Sequence, residues 1–391
     1  MKRLAIITTH PIQYNAPLFS LLNRRGKIHV KVFYTWGQTK VGAKYDPGFG
    51  KQVDWDIPLL EGYEYCFVKN VSPDPGTQHF KGIINPTLIR QIEAWKPTAI
   101  LVYGWNFKSH LHCLRYFHKK VPVLFRGDST LLDEKPGLKK MLRRVFLKWV
   151  YSHVDIALYV GIQNKLYFIK HGLKKTQLVF APHAVDNERF FDKGGSFAQK
   201  AVAWRRQLNI PDDDLVFLFA GKLEPKKDPA SLIRAFMELS VPGIHLILVG
   251  NGILENALKE KYANIINLHF IDFQNQSLMP VVYRLGDVFV LPSSGPGESW
   301  GLSVNEAMAC DRPVLVSNKA GCRTELVEEG NNGYGFSAGN RVELTGKMQL
   351  FIDNKNELFK MGKASSNRIH SWNFESIAVS VESMVLKMNH D

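Results

Sequence analysis

Short apolar runs alternate with amphipathic stretches along the first half of the chain. The apolar runs at 3–9, 29–35, 99–104, 121–127, 154–160 and 177–183 have the length of strands, and a helix is expected from about Asn15. Strands separated by helical stretches are typical of βαβ units, which form parallel sheets. The first half therefore predicts one parallel-sheet domain.

The second half repeats this pattern with its own set of apolar runs. Strands are predicted at 215–221, 245–252, 266–272, 287–293 and 313–317, and a helix at 229–239. The sequence therefore predicts an α/β protein with two Rossmann-like parallel-sheet domains, 1–190 and 205–371. The joint is expected near 186–212, a polar stretch that contains two glycines, and a closing helix at about 372–391.

Length and composition agree with two globular domains. A chain of 391 residues exceeds the size of one typical core. No run of about 18 uncharged apolar residues occurs, and the first apolar run is too short for a secretion signal, so a cytoplasmic protein is expected. The four cysteines form no CxxC pair, which favours reduced core thiols over a metal site or disulfides.

The positive charge is concentrated in the first half of the chain. Residues 1–200 carry 31 Lys and Arg against 14 Asp and Glu, a net +17, whereas residues 201–391 carry 19 against 22, a net −3. The first half is therefore expected to meet an anionic partner. The chain has no arginine-rich arm and no recognisable DNA or RNA module, which disfavours nucleic acid.

One predicted helix of that half, 137–154, is both basic and amphipathic. Its apolar stripe consists of Leu138, Met141, Leu142, Val145, Phe146, Trp149 and Val150. Its other face carries Lys139, Lys140, Arg143, Arg144 and Lys148. Such a stripe more often packs on the sheet, but a basic amphipathic helix also binds anionic lipid, so peripheral contact with the inner face of a membrane through 138–150 is the alternative.

Two glutamates lie eight positions apart in the segment ESWGLSVNE. On one helix they would be about 12 Å apart along the axis and about 80° apart around it, so they cannot share one small ligand atom. We expect Glu298 in a loop, Gly301, Leu302 and Ser303 at the start of a helix with free N–H groups, and Glu306 one turn further. This arrangement suits an anion between two carboxylates, and two ordinary surface glutamates are the alternative.

A basic turn follows the first predicted strand of the second domain. Lys222 and Lys227 lie in GKLEPKKDPASLIRAF, at the strand end where open α/β sheets bind ligands. These two lysines could neutralise the charge of a bound diphosphate. The alternative is that both are solvated lysines on a surface turn. The turn after the first strand of the chain contains no GxGxxG, and HExxH and the P-loop motif are absent, so no resident cofactor and no metal are expected.

Several segments together resemble a known enzyme family. Residues 292–336, PSSGPGESWGLSVNEAMACDRPVLVSNKAGCRTELVEEGNNGYGF, resemble the Glu-x7-Glu region of the retaining, GT-B-fold glycosyltransferases of family 4. Residues 221–236 resemble the family's G-R-L-x-x-x-K-G motif, and 181–190 its N-G-V-D-x-x-x-F link. The segment 371–387 resembles the closing helix that usually crosses back to the first domain. The resemblance covers roughly residues 95–391.

This resemblance implies a fold and an activity. The GT-B fold has two Rossmann-like parallel-sheet domains that face each other, here 1–190 on the acceptor side, together with the closing helix, and 205–371 for the donor. The implied donor is a nucleotide-diphosphate sugar, and the implied acceptor a glycan or lipid-linked glycan. The anomeric configuration would be retained without a metal ion. A nucleotide-sugar epimerase or a non-catalytic anionic-glycan-binding protein are the alternatives.

The resemblance also implies roles for single residues. Glu298 would bind hydroxyls of the donor sugar and Glu306 those of the ribose, while the amides of residues 301–303 would hold phosphate. Lys222 and Lys227 would brace the leaving diphosphate. Lys222 stands where the family has arginine, so the charge is kept and the bidentate fork is lost.

Two positions in the first domain depart from the family pattern. The first-strand turn carries His10 and its neighbours instead of a glycine pair. Asp128 stands where the family often has a histidine near the donor sugar. We therefore expect Asp128 to face the transferred sugar, with Arg126 and His10 as neighbours; an N-cap role for Asp128 and a packed turn for His10 are the alternatives.

Overall fold

The computed structural model describes residues 1–37, 44–46, 51–134 and 137–388. The chain divides into two compact units. The first unit comprises Met1–Gly42, Pro58–His183 and Phe374–Asp391, and the second comprises Ala43–Ile57 and Ala184–Asn373.

The first unit is built on seven parallel strands. The sheet order is β5-β2-β1-β6-β7-β8-β9, and β3 and β4 pair separately as an antiparallel hairpin. The strands of the sheet are β1 Arg3–Thr8, β2 His29–Tyr34, β5 Glu64–Phe67, β6 Ala99–Tyr103, β7 Val123–Arg126, β8 Ile156–Tyr159 and β9 Leu178–Phe180. The hairpin strands β3 Lys44–Asp46 and β4 Lys51–Val53 lie in the segment that belongs to the second unit. The central strands are apolar on both faces because helices cover both sides of a parallel sheet.

Helices alternate with these strands. They are α1 Ala16–Arg25, α2 Leu88–Ala94, α3 Lys108–Phe117, α4 Leu138–Tyr151 and α5 Ile162–Lys170. Short 3-10 helices lie at Phe80–Gly82 and Lys175–Gln177. The core of this unit is formed by side chains such as Ile7, Phe33, Val102, Phe125 and Leu147, all buried.

The second unit has a six-stranded parallel sheet in the order β12-β11-β10-β13-β14-β15. Its strands are β10 Leu215–Ala220, β11 Ile244–Val249, β12 Leu268–Ile271, β13 Val288–Leu291, β14 Val314–Ser317 and β15 Gly333–Phe336. Its helices are α6 Asn187–Phe190, α7 Ser196–Gln207, α8 Pro229–Met237, α9 Glu255–Lys261, α10 Met279–Arg284, α11 Leu302–Ala309, α12 Arg323–Leu326, α13 Arg341–Asp353 and α14 Leu358–Ile369, with 3-10 turns at Pro225–Lys227 and Lys355–Glu357.

Each sheet reverses its strand order at one point. In the first unit β1 pairs with both β2 and β6, and in the second β10 pairs with both β11 and β13. Such a reversal opens a crevice outside the carboxyl ends of the strands, where open α/β sheets bind their ligands. The segment that follows β1 begins at Thr9, and those that follow β10 and β13 begin at Gly221 and Pro292.

The last helix, α15 Phe374–Lys387, belongs to the first unit. Ser380 Oγ donates a hydrogen bond of 2.7 Å to Phe180 O, and Arg25 Nε lies 2.8 Å from Glu382 Oε1. The predicted closing helix at 372–391 is therefore present between 374 and 387, and residues 389–391 lie outside the described part of the chain.

The strands named from the sequence are all present, with ends shifted by one to three residues. Three short elements were missed: the edge strand β5, the β3–β4 hairpin, and β15 with its sequence GYGF. Glycines weaken the strand pattern, and an edge strand such as β5 needs no buried face.

The boundary between the units differs from the predicted joint. The change of unit falls between His183 and Ala184, before the stretch 186–212 begins. That stretch contains α6 and α7 and is part of the second unit, where Arg205 Nε donates 2.7 Å to Leu285 O. Ala43–Ile57, expected in the first domain, also belongs to the second unit, where Ser277 N donates 3.0 Å to Asp56 Oδ1.

The expectation that the apolar stripe of α4 packs on the sheet is wrong for most of the helix. Its buried face is formed by Leu147, Val150 and Tyr151, whereas the rest of the stripe is 40–69% exposed. Leu147 and Tyr151 lie beside the predicted stripe. Because these two side chains face the core, most of the stripe faces away from it. Among the described residues, no helix combines the length and apolar character needed to cross a membrane.

Candidate active site

The basic turn of the second unit lies directly after β10. Lys222 follows the strand by two residues, and Lys227 ends the 3-10 turn Pro225–Lys227. Asp228 then starts α8, with a φ of 51° and with its Oδ1 accepting 3.2 Å from Ser231 N. The cap fixes where the turn ends, so the position of Lys227 is set by the start of the helix.

Glu298 lies in the loop after β13 and is only 8% exposed. Its Oε2 forms an ion pair with Lys227 Nζ and accepts a hydrogen bond of 2.9 Å from Ser293 Oγ. The two loops are also joined through the backbone, since Ser294 N donates 2.9 Å to Lys226 O. The predicted lysine and the predicted sugar-binding glutamate therefore lie together at the reversal point of the sheet.

Glycines shape the loop that carries Glu298. Gly301 has a φ of 101° and directly precedes α11, and a Cβ there would lie 2.6 Å from Leu291 Cδ2. A Cβ on Gly321 would lie 1.8 Å from Ser299 O, and Gly321 N donates 3.2 Å to Glu298 O. Both sites exclude a side chain, so the loop is held against its neighbours by backbone contacts.

The helix start lies where the sequence predicted it. α11 begins at Leu302, which places the N–H groups of Leu302 and Ser303 in its first turn, after Gly301. The first N–H groups of a helix have no partner within the helix, and the helix dipole favours an anion there. The loop glutamate and the helix start are thus neighbours in sequence at one edge of the sheet.

Glu306 lies one turn further along α11 and is 3% exposed. Tyr283 Oη, itself buried, donates a hydrogen bond of 2.6 Å to Glu306 Oε2. The alternative of two ordinary surface glutamates is therefore wrong, because both carboxylates are buried and both have polar partners. A buried carboxylate needs such partners, since burial penalises its charged form.

The first unit brings a different set of side chains to its own sheet edge. His10 follows β1, with its Nδ1 3.0 Å from Thr9 Oγ1 and its ring edge-on to Trp36 at 5.2 Å between centroids. His10 therefore lies at the reversal point of the first sheet, and its place beside the transferred sugar stays a prediction.

Arg126 and Asp128 lie at and just beyond the end of β7. Arg126 is buried, and its Nη1 and Nη2 donate hydrogen bonds of 2.8 Å each to Ala181 O and Pro182 O. Burial lowers the pKa of this guanidinium, and Asp128 opposes that shift. Asp128 Oδ2 lies 3.9 Å from His183 Nε2, so the aspartate of the motif FRGDST faces a histidine from the segment after β9.

Three polar partners were missed by the sequence reasoning. Ser293 belongs to the P-S pair that precedes the Glu298 loop, which was a usable signal. His183 lies in APHAVDNERF, within a segment already singled out. Tyr283 gave no signal, because a tyrosine in an apolar helix reads as core. Within the described ranges no group of three or more His, Cys, Asp or Glu side chains is arranged to hold a metal ion.

Comparison with known proteins places part of the chain in a family. Residues 201–368 match the family described as Glycosyl transferases group 1. D-inositol 3-phosphate glycosyltransferase of Salinispora tropica is 30% identical over 39% of this chain and 34% of its own. Alpha-monoglucosyldiacylglycerol synthase of Acholeplasma laidlawii is 25% identical over 47% of this chain and 46% of its own. The chain thus spans less than half the length of these two curated relatives.

Solved structures resemble the chain over nearly its whole length. Sucrose-phosphate synthase from Thermosynechococcus elongatus has a TM-score of 0.73 at 17% identity, covering 99% of both chains. HepE of Anabaena, in complex with UDP and glucose, has a TM-score of 0.70 at 16% identity, covering 99% of this chain and 100% of its own. Likeness at this identity shows the fold. With its two parallel sheets the chain has the GT-B fold, and residues 201–368 of its second unit match the glycosyl transferases group 1.

Proposed function

We propose that the protein is a retaining, metal-independent glycosyltransferase that moves a sugar from a nucleotide-diphosphate sugar to a glycan or lipid-linked glycan. The observation that carries this proposal is the buried Glu298, which is paired with Lys227 and Ser293 at the reversal point of the second sheet. One edge of that sheet thus offers a carboxylate for sugar hydroxyls, a lysine for diphosphate and a helix start for phosphate oxygens.

The ion pair gives the buried Glu298 side chain a charged partner. Removing an ion from water costs several kcal/mol unless a partner compensates, and Lys227 supplies that partner. A diphosphate beside Lys227 would share its charge, while Glu298 accepts hydrogen bonds from the sugar. The pair therefore couples the two ends of the proposed donor.

The chemistry follows from where charge develops. As the bond to the transferred sugar breaks, negative charge grows on the leaving diphosphate, and fixed donors stabilise it. In this chain those donors would be Lys222, Lys227 and the amides of residues 301–303. Loss of one such donor typically lowers kcat about 10²–10³-fold. In the manner the family resemblance implies, the departing phosphate oxygen would take the proton of the acceptor hydroxyl. The acceptor oxygen would then bond to the sugar carbon on the face that the phosphate leaves, so that the configuration is retained.

The names of similar proteins support a nucleoside diphosphate as the first probe. The HepE structure is described as a complex with UDP and glucose, and another as a complex with UDP-glucose. We therefore expect a diphosphate nucleotide to bind the second unit, in a site that includes Glu306 for the ribose hydroxyls.

Calorimetry with UDP, GDP, ADP and CMP tests the proposal. One diphosphate should bind the wild type, and Lys227→Ala should weaken that binding about tenfold or more, since a charge-assisted contact is lost. Lys226→Ala is the matched control, because Lys226 is the adjacent lysine and pairs with Glu224 instead. Equal binding by all three proteins would remove Lys227 from the site, and no binding to the wild type would favour a non-catalytic glycan-binding protein.

Product analysis separates transfer from other chemistry of the same fold. Incubation of the bound nucleotide sugar with glycan and lipid-linked glycan acceptors should give a new α-linkage from an α-linked donor. Release of an epimerised free sugar, with no coupled product, would support the epimerase instead.

We further propose that α4 lets the enzyme contact an anionic membrane surface, which would bring a lipid-linked acceptor within reach. Leu138, Met141, Leu142 and Val145 are 60–69% exposed along one stripe of the helix. Lys139 and Arg143 are exposed on the same helix. An apolar stripe beside cations is the pattern of a helix that lies in the headgroup region, and anionic lipid complements its charge.

Vesicle flotation tests this contact. The wild type should float with vesicles that contain anionic lipid and much less with neutral ones. The variant Lys139→Glu with Arg143→Glu should lose binding, whereas Lys174→Glu with Lys175→Glu, an equal charge change elsewhere on the first unit, should keep it. Absence of binding to anionic vesicles, or equal loss in both variants, would refute a role for α4.

A further inference from the structure

The carboxyl edge of the first sheet is tied together by two buried polar side chains. Arg126, at the end of β7, donates to the carbonyls of Ala181 and Pro182, which follow β9. Asn164 of α5, 1% exposed, donates 2.8 Å from Nδ2 to Ser129 O and accepts 3.0 Å from Val160 N. These hydrogen bonds fix the backbone on either side of two further residues.

Those two residues are Asp128 and His183. Asp128 lies between Arg126 and Ser129, and His183 directly follows Pro182, so each is held by a buried contact next to it. Their side chains face each other, with 3.9 Å between Asp128 Oδ2 and His183 Nε2. This is ion-pair distance, longer than a hydrogen bond, and such pairs often shorten when a ligand binds.

Both side chains remain accessible from this edge. The Asp128 side chain is 53% exposed, and that of His183 is 20% exposed. An accessible aspartate and a partly covered histidine, placed by buried hydrogen bonds to their neighbours, have the support that positioned groups need.

The protonation of the ring follows from its surroundings. Burial lowers the pKa of His183, Asp128 opposes that shift, and the positive charge of Arg126 adds to it. The ring is therefore neutral at neutral pH and carries one nitrogen that donates and one that accepts. A carboxylate beside a histidine fixes which nitrogen does which.

We propose that His183, oriented by Asp128, accepts a hydrogen bond from a hydroxyl group of the sugar substrate. This inference rests on the proposed function and names a residue of the first unit that acts on it. Asp128 is a positioning residue for the ring, in addition to any contact of its own with sugar hydroxyls. A protonated His183 has no acceptor nitrogen, so the contact is lost at acid pH.

The test follows nucleotide diphosphate release from the cognate nucleotide sugar between about pH 5 and about pH 8, with nucleotide affinity measured in parallel. His183→Leu, which has no acceptor atom, should lower kcat about tenfold or more, with unchanged nucleotide affinity, and should remove the fall in rate at acid pH. Asp128→Asn should move that fall to lower pH, because Asp128 raises the pKa of the ring. His112→Gln, on the exposed side of α3, is the control.

Each other outcome has a separate meaning. If His183→Leu keeps the wild-type rate and pH profile, the inference is overturned while the proposed function stands. Equal loss of rate and of nucleotide affinity in the His183 variant would show a structural role. If the fall in rate at acid pH stays at the same pH in Asp128→Asn, the role of Asp128 in positioning the ring is overturned. A wild type that neither binds a nucleotide diphosphate nor releases one from any nucleotide sugar would overturn the proposed function itself.

Discussion

The two sheet edges use the same topology in different ways. At the edge of the second unit, each glutamate has a side-chain partner inside the protein: Glu298 forms an ion pair with Lys227, and Glu306 accepts a hydrogen bond from Tyr283. At the edge of the first unit, the buried Arg126 guanidinium donates its hydrogen bonds to backbone carbonyls. The exposed charged side chain there is Asp128, beside His183.

This difference matches where the family signal lies. The matched residues 201–368 fall within the second unit, while the first unit lies outside that match. The donor site proposed at the second edge would hold diphosphate and ribose, and such a site needs fixed charges in fixed places. A site for a variable sugar or acceptor needs only a stable edge on which different side chains can be presented.

Substitution of Glu298 is expected to have the largest effect. Glu298→Gln keeps the shape of the side chain but removes the charge, and it should lower the transfer rate about 10²–10³-fold with a smaller change in nucleotide affinity. Glu357→Gln, on the exposed surface of the same unit, is the control. A wild-type rate in Glu298→Gln would mean that the second edge does not hold the sugar, and the contrast between the units would fail.

Acid should weaken the first unit through His110. This ring is fully buried, with Nε2 2.8 Å from Thr35 Oγ1 and Nδ1 2.9 Å from Tyr103 O, and burial lowers its pKa to about 4. The unfolded chain takes up the proton near its ordinary pKa, so stability is full above about pH 6.5 and falls by about 3 kcal/mol as the pH drops to about 4.

Denaturant unfolding at several pH values measures this dependence. His110→Gln should show a smaller slope of unfolding free energy against pH, whatever its absolute stability. His269 of the second unit also has its pKa lowered to about 4, by burial and by His245, so part of the slope should remain. An unchanged slope in His110→Gln would assign the acid sensitivity to the second unit.

Replacement of Arg126 tests whether its charge serves structure or ligand. Arg126→Met should lower the free energy of unfolding by about 2–3 kcal/mol, because two buried carbonyls lose a charged donor, and nucleotide affinity should not change. Arg143→Met, on the exposed face of α4, is the control. Weaker nucleotide binding with unchanged stability would instead support the ligand-binding role expected from the sequence.

The smallest expected effect is on the free energy of unfolding, when either of two tyrosine–glutamate hydrogen bonds of equal length is removed. Tyr283 donates 2.6 Å to the buried Glu306, and Tyr116 of the first unit donates 2.6 Å to Glu93 on the surface. Tyr283→Phe should cost about 1–2 kcal/mol of unfolding free energy, and Tyr116→Phe less, because only the buried carboxylate cannot turn to water. Equal costs would show that Glu306 is reached by water.

The sequence alone determined the alternation of strands and helices and the start of α11. Apolar runs at strand length, separated by amphipathic stretches, leave few arrangements for a chain of this size, and Gly301 marks a conformation that few other residues adopt. The motifs also identified Glu298, Lys222 and Lys227 as candidates, since glycines, lysines and glutamates at fixed spacing are visible as letters.

Only the tertiary structure determined which side chains these candidate residues contact. That Glu298 pairs with Lys227, 71 positions away, and Asp128 faces His183, 55 positions away, depends on which strand ends share an edge. The exposure of the α4 stripe was also decided there, because amphipathicity gives a helix two faces and only packing selects the buried one. Local sequence specifies the conformation and the apolar pattern of each segment. Contacts between residues distant in sequence depend on the order of the strands within each sheet.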